Sequence, residues 1–228
     1  MALVLLVVLL IAGNNWLQKH PQHNPFAPLR LADSPGWATQ QKISALAGDP
    51  AACFAALDNG GVKYERLPGL GTGMCRADQR THIRNWSAAP AAVLPAGVAP
   101  SCAVGAGLLL WQRDVVQPMA RLHLGRKVRE IEHLGSYNCR NIRGGSTPSE
   151  HASGNAIDIS AFVLSDGRRV SLIDHWNAPN GRSAFLRAVR DGSCDYFSTV
   201  LSPDYNKAHA DHFHLDQAQR QAGWAACR

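Results

Sequence analysis

Two short stretches hold residue types that can do chemistry together. The first is Ser149-Glu150-His151-Ala152-Ser153-Gly154-Asn155-Ala156-Ile157-Asp158-Ile159, and the second is His209-Ala210-Asp211-His212-Phe213-His214-Leu215-Asp216. Alternate residues of a strand share a face. In the second stretch His212, His214 and Asp216 therefore point one way and Phe213 and Leu215 the other. In the first, Ala156, Asp158 and Ser160 oppose Ile157 and Ile159. If two such half-buried strands lie side by side, a carboxylate and imidazoles converge on the polar face, and His151 swings in from the preceding loop. Two imidazoles and one carboxylate suit Zn²⁺ and leave its fourth tetrahedral position to water. Zinc lowers the pKa of such a water toward ~7. A remaining histidine then serves as general base. Strand alternation puts His212 and His214 on the same face and does not choose between them as ligand. His209 stands next in line to orient the base or to bond a ligand from outside.

The elements that must position these residues are legible in outline. Trp37 to Leu57 has a helical pattern broken at Asp49-Pro50, and Val62 to Leu67 reads as a short strand. Gly105 to Leu124 predicts the main helix, with Leu108, Trp111, Val115, Met119 and Leu122 along one side and a kink at Pro118. Strands follow at Lys127 to Leu134, Asn155 to Val163, Arg168 to Asp174, Phe197 to Leu201 and Asp211 to Asp216. Asp166-Gly167 makes a hairpin turn, and Ser183 to Arg190 is a short helix. Helices first and strands later favour an α+β fold: helices packed on a central, mainly antiparallel sheet that carries the metal site.

The chain divides into residues 1–17, 18–35 and 36–228. Ala2 to Ala12 is continuously apolar, and Met1 to Leu17 as a helix rises about 25 Å, just under the ~30 Å hydrocarbon core of a bilayer. Trp16 falls where aromatic residues meet the interface. The run has no basic residues ahead of it, and Ile11-Ala12-Gly13 is a poor cleavage site, so a retained membrane anchor is favoured over a cleaved signal. Residues 18–35, with Pro21, Pro25 and Pro28, read as an extended linker. Six cysteines without a C-x-x-C pair fit three structural disulfides outside the cytoplasm. The net charge of +6 comes from scattered Lys and Arg. The densest cluster, Arg121 to Arg129, lacks interleaved aromatics, so nucleic acid is not the expected partner, whereas an anionic cell wall is.

Ser149-x-His151-x-x-Gly154-x-Ala156-x-Asp158 resembles the S-x-H-x-x-G-x-A-x-D motif of the LAS metallopeptidases, which include D-alanyl-D-alanine carboxypeptidases and murein endopeptidases. His209-x-x-His212-x-His214 resembles the ending of the penicillin-insensitive murein endopeptidase branch. With Gly135-Ser136-Tyr137-Asn138-Cys139-Arg140 included, the whole looks closer still to the bacterial extensin-like C-terminal domain family, from about Trp37 onward. The resemblance implies His151, Asp158 and His214 as zinc ligands and His212, assisted by His209, as the catalytic base. Arg140 sits where related enzymes place an arginine for a substrate carboxylate, and Ser149 either bonds substrate or shapes the loop. The E-x-x-H ending of the carboxypeptidase branch is missing, which favours a D,D-endopeptidase. The expectation is thus a zinc-dependent peptidoglycan hydrolase in the periplasm, tethered to the inner membrane. The alternatives are a non-catalytic wall-binding protein of the same fold, a carboxypeptidase or an amidase.

Overall fold

The computed structural model describes residues 1–219 and 226–228. In chain order its elements are α1 (Ala2–Lys19), α2 (Thr39–Ala45), α3 (Pro50–Asn59), β1 (Lys63–Arg66), β2 (Thr81–Asn85) and β3 (Ala92–Leu94). Then follow α4 (Cys102–Trp111), α5 (Gln117–Leu124), β4 (Val128–Gly135), β5 (Ala156–Leu164), β6 (Arg169–Ser171), α6 (Leu172–His175), α7 (Gly181–Ser193), β7 (Thr199–Leu201), β8 (Phe213–Asp216) and β9 (Ala226–Cys227). The main sheet runs β3-β4-β5-β8-β7-β9, with β6 also on β5; β1 and β2 form a separate ribbon. The β3–β4 and β7–β9 pairs are parallel and the other pairs of the main sheet antiparallel. The α+β class with a mainly antiparallel sheet is as the pattern predicts.

One face of this sheet is closed by apolar packing. Every residue of α4 is buried, as befits a helix that is apolar all round. The Ser101 hydroxyl caps it by accepting from the Val104 N–H at 3.3 Å. Trp111 sits between Phe162 of β5 and Phe197, with ring centroids 6.0 and 6.3 Å away, and its indole N–H donates to the Ser193 hydroxyl of α7 at 2.8 Å. Ile157, Ile159, Phe213 and Leu215 reach this core from β5 and β8 and are fully buried. Alternation then sends Asp158, His214 and Asp216 to the opposite face.

Several boundaries differ from the sequence reading. The main helix begins three residues earlier, at Cys102, because Ser101 supplies the cap. It runs to Leu124 through a π turn at Gln112–Val116, directly ahead of Pro118, where the missing N–H is absorbed by a local change of hydrogen-bond spacing. The strand predicted to reach Asp174 stops at Ser171, whose hydroxyl accepts from the Asp174 N–H and starts α6 instead. The short strand expected at Val62 to Leu67 is β1, and two further strands that were not expected, β2 and β3, also precede α4. Strand β8 starts at Phe213, so His212 precedes the strand it was expected to occupy.

Three disulfides join Cys53 to Cys102, Cys75 to Cys139 and Cys194 to Cys227. The second ties the loop after β1 to the loop that leads toward His151. Helix α1 has 18 residues, none buried, and is long and apolar enough to cross a membrane. Such a helix together with disulfides is a feature of secreted or membrane-anchored extracytoplasmic chains. Within residues 18–35, Leu29 and Leu31 are buried in the core, and the Arg113 guanidinium donates to the Leu31 and Asp33 carbonyls. That stretch is therefore docked on the domain, not extended from it.

Candidate metal centre

Strands β5 and β8 pair antiparallel with Asp158 directly opposite His214. The register puts both side chains on the polar face at the same height. His151 arrives from the 3₁₀ turn Glu150–Ser153, which ends on Gly154 at φ 69°. Only a residue without Cβ adopts that left-handed conformation freely, and it lets the chain reverse from the turn into β5. The Ser149 hydroxyl accepts from the His151 N–H at 3.3 Å, and the Ser149 side chain is buried. It shapes the loop that aims His151.

Three atoms meet at the centre. His151 Nε2, His214 Nδ1 and Asp158 Oδ1 are each 3.1 Å from the other two. Their protonation follows from what lies behind them. His151 Nδ1 is 2.7 Å from the Ser136 carbonyl oxygen, which only accepts, so the proton is on Nδ1 and Nε2 is a bare lone pair. His214 Nε2 is 3.0 Å from Asp216 Oδ2, which likewise accepts, so in the neutral ring Nδ1 is bare. The inner triangle then consists of three acceptors facing one another in a buried place, which requires a positive charge among them. The size also fits. Ligand bonds of about 2.0–2.2 Å place an ion roughly 1 Å above the centre of a triangle with these edges. That leaves its outer side free for a further ligand. Among the described residues these three form the one group of His, Cys, Asp and Glu side chains close enough to share a metal ion.

Electrostatics in the metal-free chain tell the same story. Burial alone raises a carboxyl pKa, yet the His151 and His214 rings against it hold Asp158 well below the usual carboxylate range. Burial works against a charged His214, but the hydrogen bonds to Asp158 and Asp216 outweigh it and lift the ring to about 9. A proton therefore occupies the place of the cation when no metal is bound.

His212 faces the same opening although it lies outside β8. Its Nε2 is 3.7 Å from Asp158 Oδ1, and its Nδ1 is 2.7 Å from Asp211 Oδ1. Asp211 thus holds the Nδ1–H tautomer and turns the Nε2 lone pair toward the metal position. The His209 ring lies beyond it, tilted against the His212 ring at 5.1 Å and edge-on to that of His214 at 6.1 Å. Its Nδ1 is 2.8 Å from Asn206 Oδ1. Burial first, and then the charge on His212 and His214, pull His209 down to about 4, so it is neutral at neutral pH. Arg140 lies exposed on the neighbouring loop, near enough for its charge to be felt at His209.

The supporting partners Ser136, Asn206, Asp211 and Asp216 were not assigned roles from the sequence. Asp216 was the accessible one, because it sits two residues from His214 on one strand face. The Ser136 carbonyl had no signal, since a backbone oxygen carries no residue type.

Comparison with known proteins gives one match. Residues 51–228, well over half of the chain, match the family described as "Extensin-like protein C-terminus". The chain belongs to that family. No curated protein and no solved structure matches.

Proposed function

We propose that this chain, as a member of the extensin-like C-terminal family, is a zinc-dependent peptidase of the extracytoplasmic space that cuts peptide bonds involving D-amino acids in peptidoglycan. The D,D-endopeptidase reaction is favoured, and the domain is tethered to the inner membrane through α1. The observation that carries the metal reading is the triangle of three facing acceptors, buried His151 Nε2 and His214 Nδ1 and partly buried Asp158 Oδ1. The substrate class is supported by the likeness of Ser149 to Asp158 and of His209 to His214 to LAS peptidase motifs, by the basic chain and by the features of export.

A zinc ion at this position supplies a Lewis acid for the scissile carbonyl and a water acidic enough to ionise near neutral pH. The chain's own groups do the rest. Asp216 and the Ser136 carbonyl fix the ligand rings, so their lone pairs stay aimed without reorganisation. His212 offers a lone pair at Nε2 to take the proton of the attacking water, and it returns that proton to the departing amine. Asp211 steadies the imidazolium formed between those two transfers. Neutral His209 closes the far side without adding a positive charge that would oppose it. Arg140 is exposed in the loop, with only a long 3.5 Å contact from Nη1 to the Asn141 carbonyl, and can turn to pair with a carboxylate of the stem peptide.

The test is incubation of cross-linked muropeptides with the zinc-loaded and the chelated protein, followed by mass analysis. Cleavage between stem peptides that is lost on chelation is the expected result. Release of whole peptides from the sugar would instead identify an amidase. Absence of any product from protein carrying one zinc per chain would leave a wall-binding role.

A further inference from the structure

The end of α1 is joined to the folded domain by more than the chain. Trp16, in the last turn of α1, stacks on His20 and His23 with ring centroids 4.3 and 5.3 Å apart. His23 in turn stacks on Trp37 at 5.8 Å, and the Trp37 N–H donates to His23 Nδ1 at 3.4 Å. The segment between them has no slack. Lys42 of α2 donates to the Pro21 carbonyl at 2.7 Å, and Gly36 lies so close that a Cβ there would meet the Gln22 carbonyl oxygen at 2.4 Å. Further along, Leu29 and Leu31 are in the core. Fully extended, residues 20–36 would span roughly 55–60 Å; folded back in this way they hold Trp37 beside the end of the helix.

This junction presents large apolar side chains to the outside. Trp16 is 46% exposed, Trp37 65% and Phe26 95%. Indoles, with an apolar body and a polar edge, favour the headgroup zone of a bilayer, and imidazoles share that amphipathic form. Helix α1 is apolar from Ala2 to Ala12, has no buried residue and leads directly into the cluster, so the surface that covers one continues onto the other.

We infer that Trp16, His20, His23, Phe26 and Trp37 form an interfacial collar that seats the folded domain on the phospholipid headgroups. The inference rests on reading α1 as a membrane span. It turns the tether into a fixed mount: the domain works at the bilayer surface and does not sweep a volume set by a loose linker.

The experiment uses the full chain in vesicles of phosphatidylethanolamine and phosphatidylglycerol. Brominated lipids quench tryptophan fluorescence, with the bromine placed either near the headgroups or deep in the chains. The native chain is compared with Trp16→Phe and Trp37→Phe. The expected result is that each variant removes a comparable share of the quenching by shallow bromine and little of that by deep bromine. If Trp16→Phe lowers the shallow quenching and Trp37→Phe leaves it unchanged, the helix is anchored but the domain is not seated, and the collar is refuted. If neither variant changes the quenching, or the vesicle-bound chain has lost α1, the membrane-span reading fails with it. Because Trp37 is mostly exposed, its replacement leaves the core intact, and circular dichroism of the variant checks this.

Discussion

Replacing Asp216 by Asn tests whether the ring of His214 is held for metal binding. Asp216 is buried and uses both oxygens: Oδ1 accepts from the Ala218 N–H at 3.0 Å, and Oδ2 accepts from His214 Nε2 at 3.0 Å. An asparagine satisfies only one of these. If its oxygen keeps the Ala218 N–H, its NH₂ faces His214 and forces the proton from Nε2 to Nδ1. That proton then blocks the lone pair needed inside the triangle. If the amide turns the other way, its NH₂ meets the Ala218 N–H, and a buried bond is lost at a cost of about 1–3 kcal/mol. Loss of such a supporting partner weakens metal affinity by about 10- to 100-fold, or ~1.4–2.8 kcal/mol. The assay is competition for zinc against a chromogenic chelator at pH 7.5, with thermal unfolding of the metal-free protein measured alongside. Weaker zinc binding by a folded variant is the predicted outcome. A folded variant that binds zinc within about threefold of the native chain (under ~0.7 kcal/mol) would refute the argument that Asp216 sets the His214 tautomer.

Other outcomes follow from the same geometry. His214 is raised above its ordinary value, so its protonated form stabilises the metal-free fold below about pH 6.5, and that contribution is lost as pH rises through about 9. Metal must displace this proton, so binding near pH 7.5 releases close to one proton per ion and strengthens by about tenfold per pH unit up to that range. Calorimetry in buffers of different ionisation enthalpy measures the release. Asp158 is depressed, so its contribution is present above the ordinary carboxylate pKa and disappears on strong acidification, visible as an acid unfolding limb. His212→Ala is expected to lower muropeptide cleavage by about 10²- to 10⁴-fold while zinc stoichiometry stays at one, because Nε2 of His212 faces the site from outside the ligand triangle. Replacing both Cys53 and Cys102 by Ala opens a fully buried link across a sequence separation of 49 and should cost about 4 kcal/mol in urea unfolding.

The polar face of the site was legible because strand alternation is a strong rule. Ile157 and Ile159 on one side and Asp158 on the other required two half-buried strands, and β5 and β8 pair in a register that brings Asp158 to His214. Choosing between His212 and His214 was beyond alternation, and the reason is now physical: His212 lies before β8, and its position is set by Asp211 and not by the pleat. The docked part of residues 18–35 was hidden because Leu29 and Leu31 sit among prolines and polar residues with no period to mark a buried face. Strand β1 was legible as the short strand at Val62 to Leu67, but β2 and β3 are five and three residues long, too short for a periodic signal, and β3 gains its place only by pairing with β4.

Whether His151, Asp158 and His214 hold one metal ion is decided by zinc-edge anomalous diffraction from crystals grown with stoichiometric zinc. A single strong peak is expected at about 2.0–2.2 Å from His151 Nε2, Asp158 Oδ1 and His214 Nδ1, with Nε2 of His214 still on Asp216. A peak held by other residues, or a folded chain with no peak at this triangle, would contradict it.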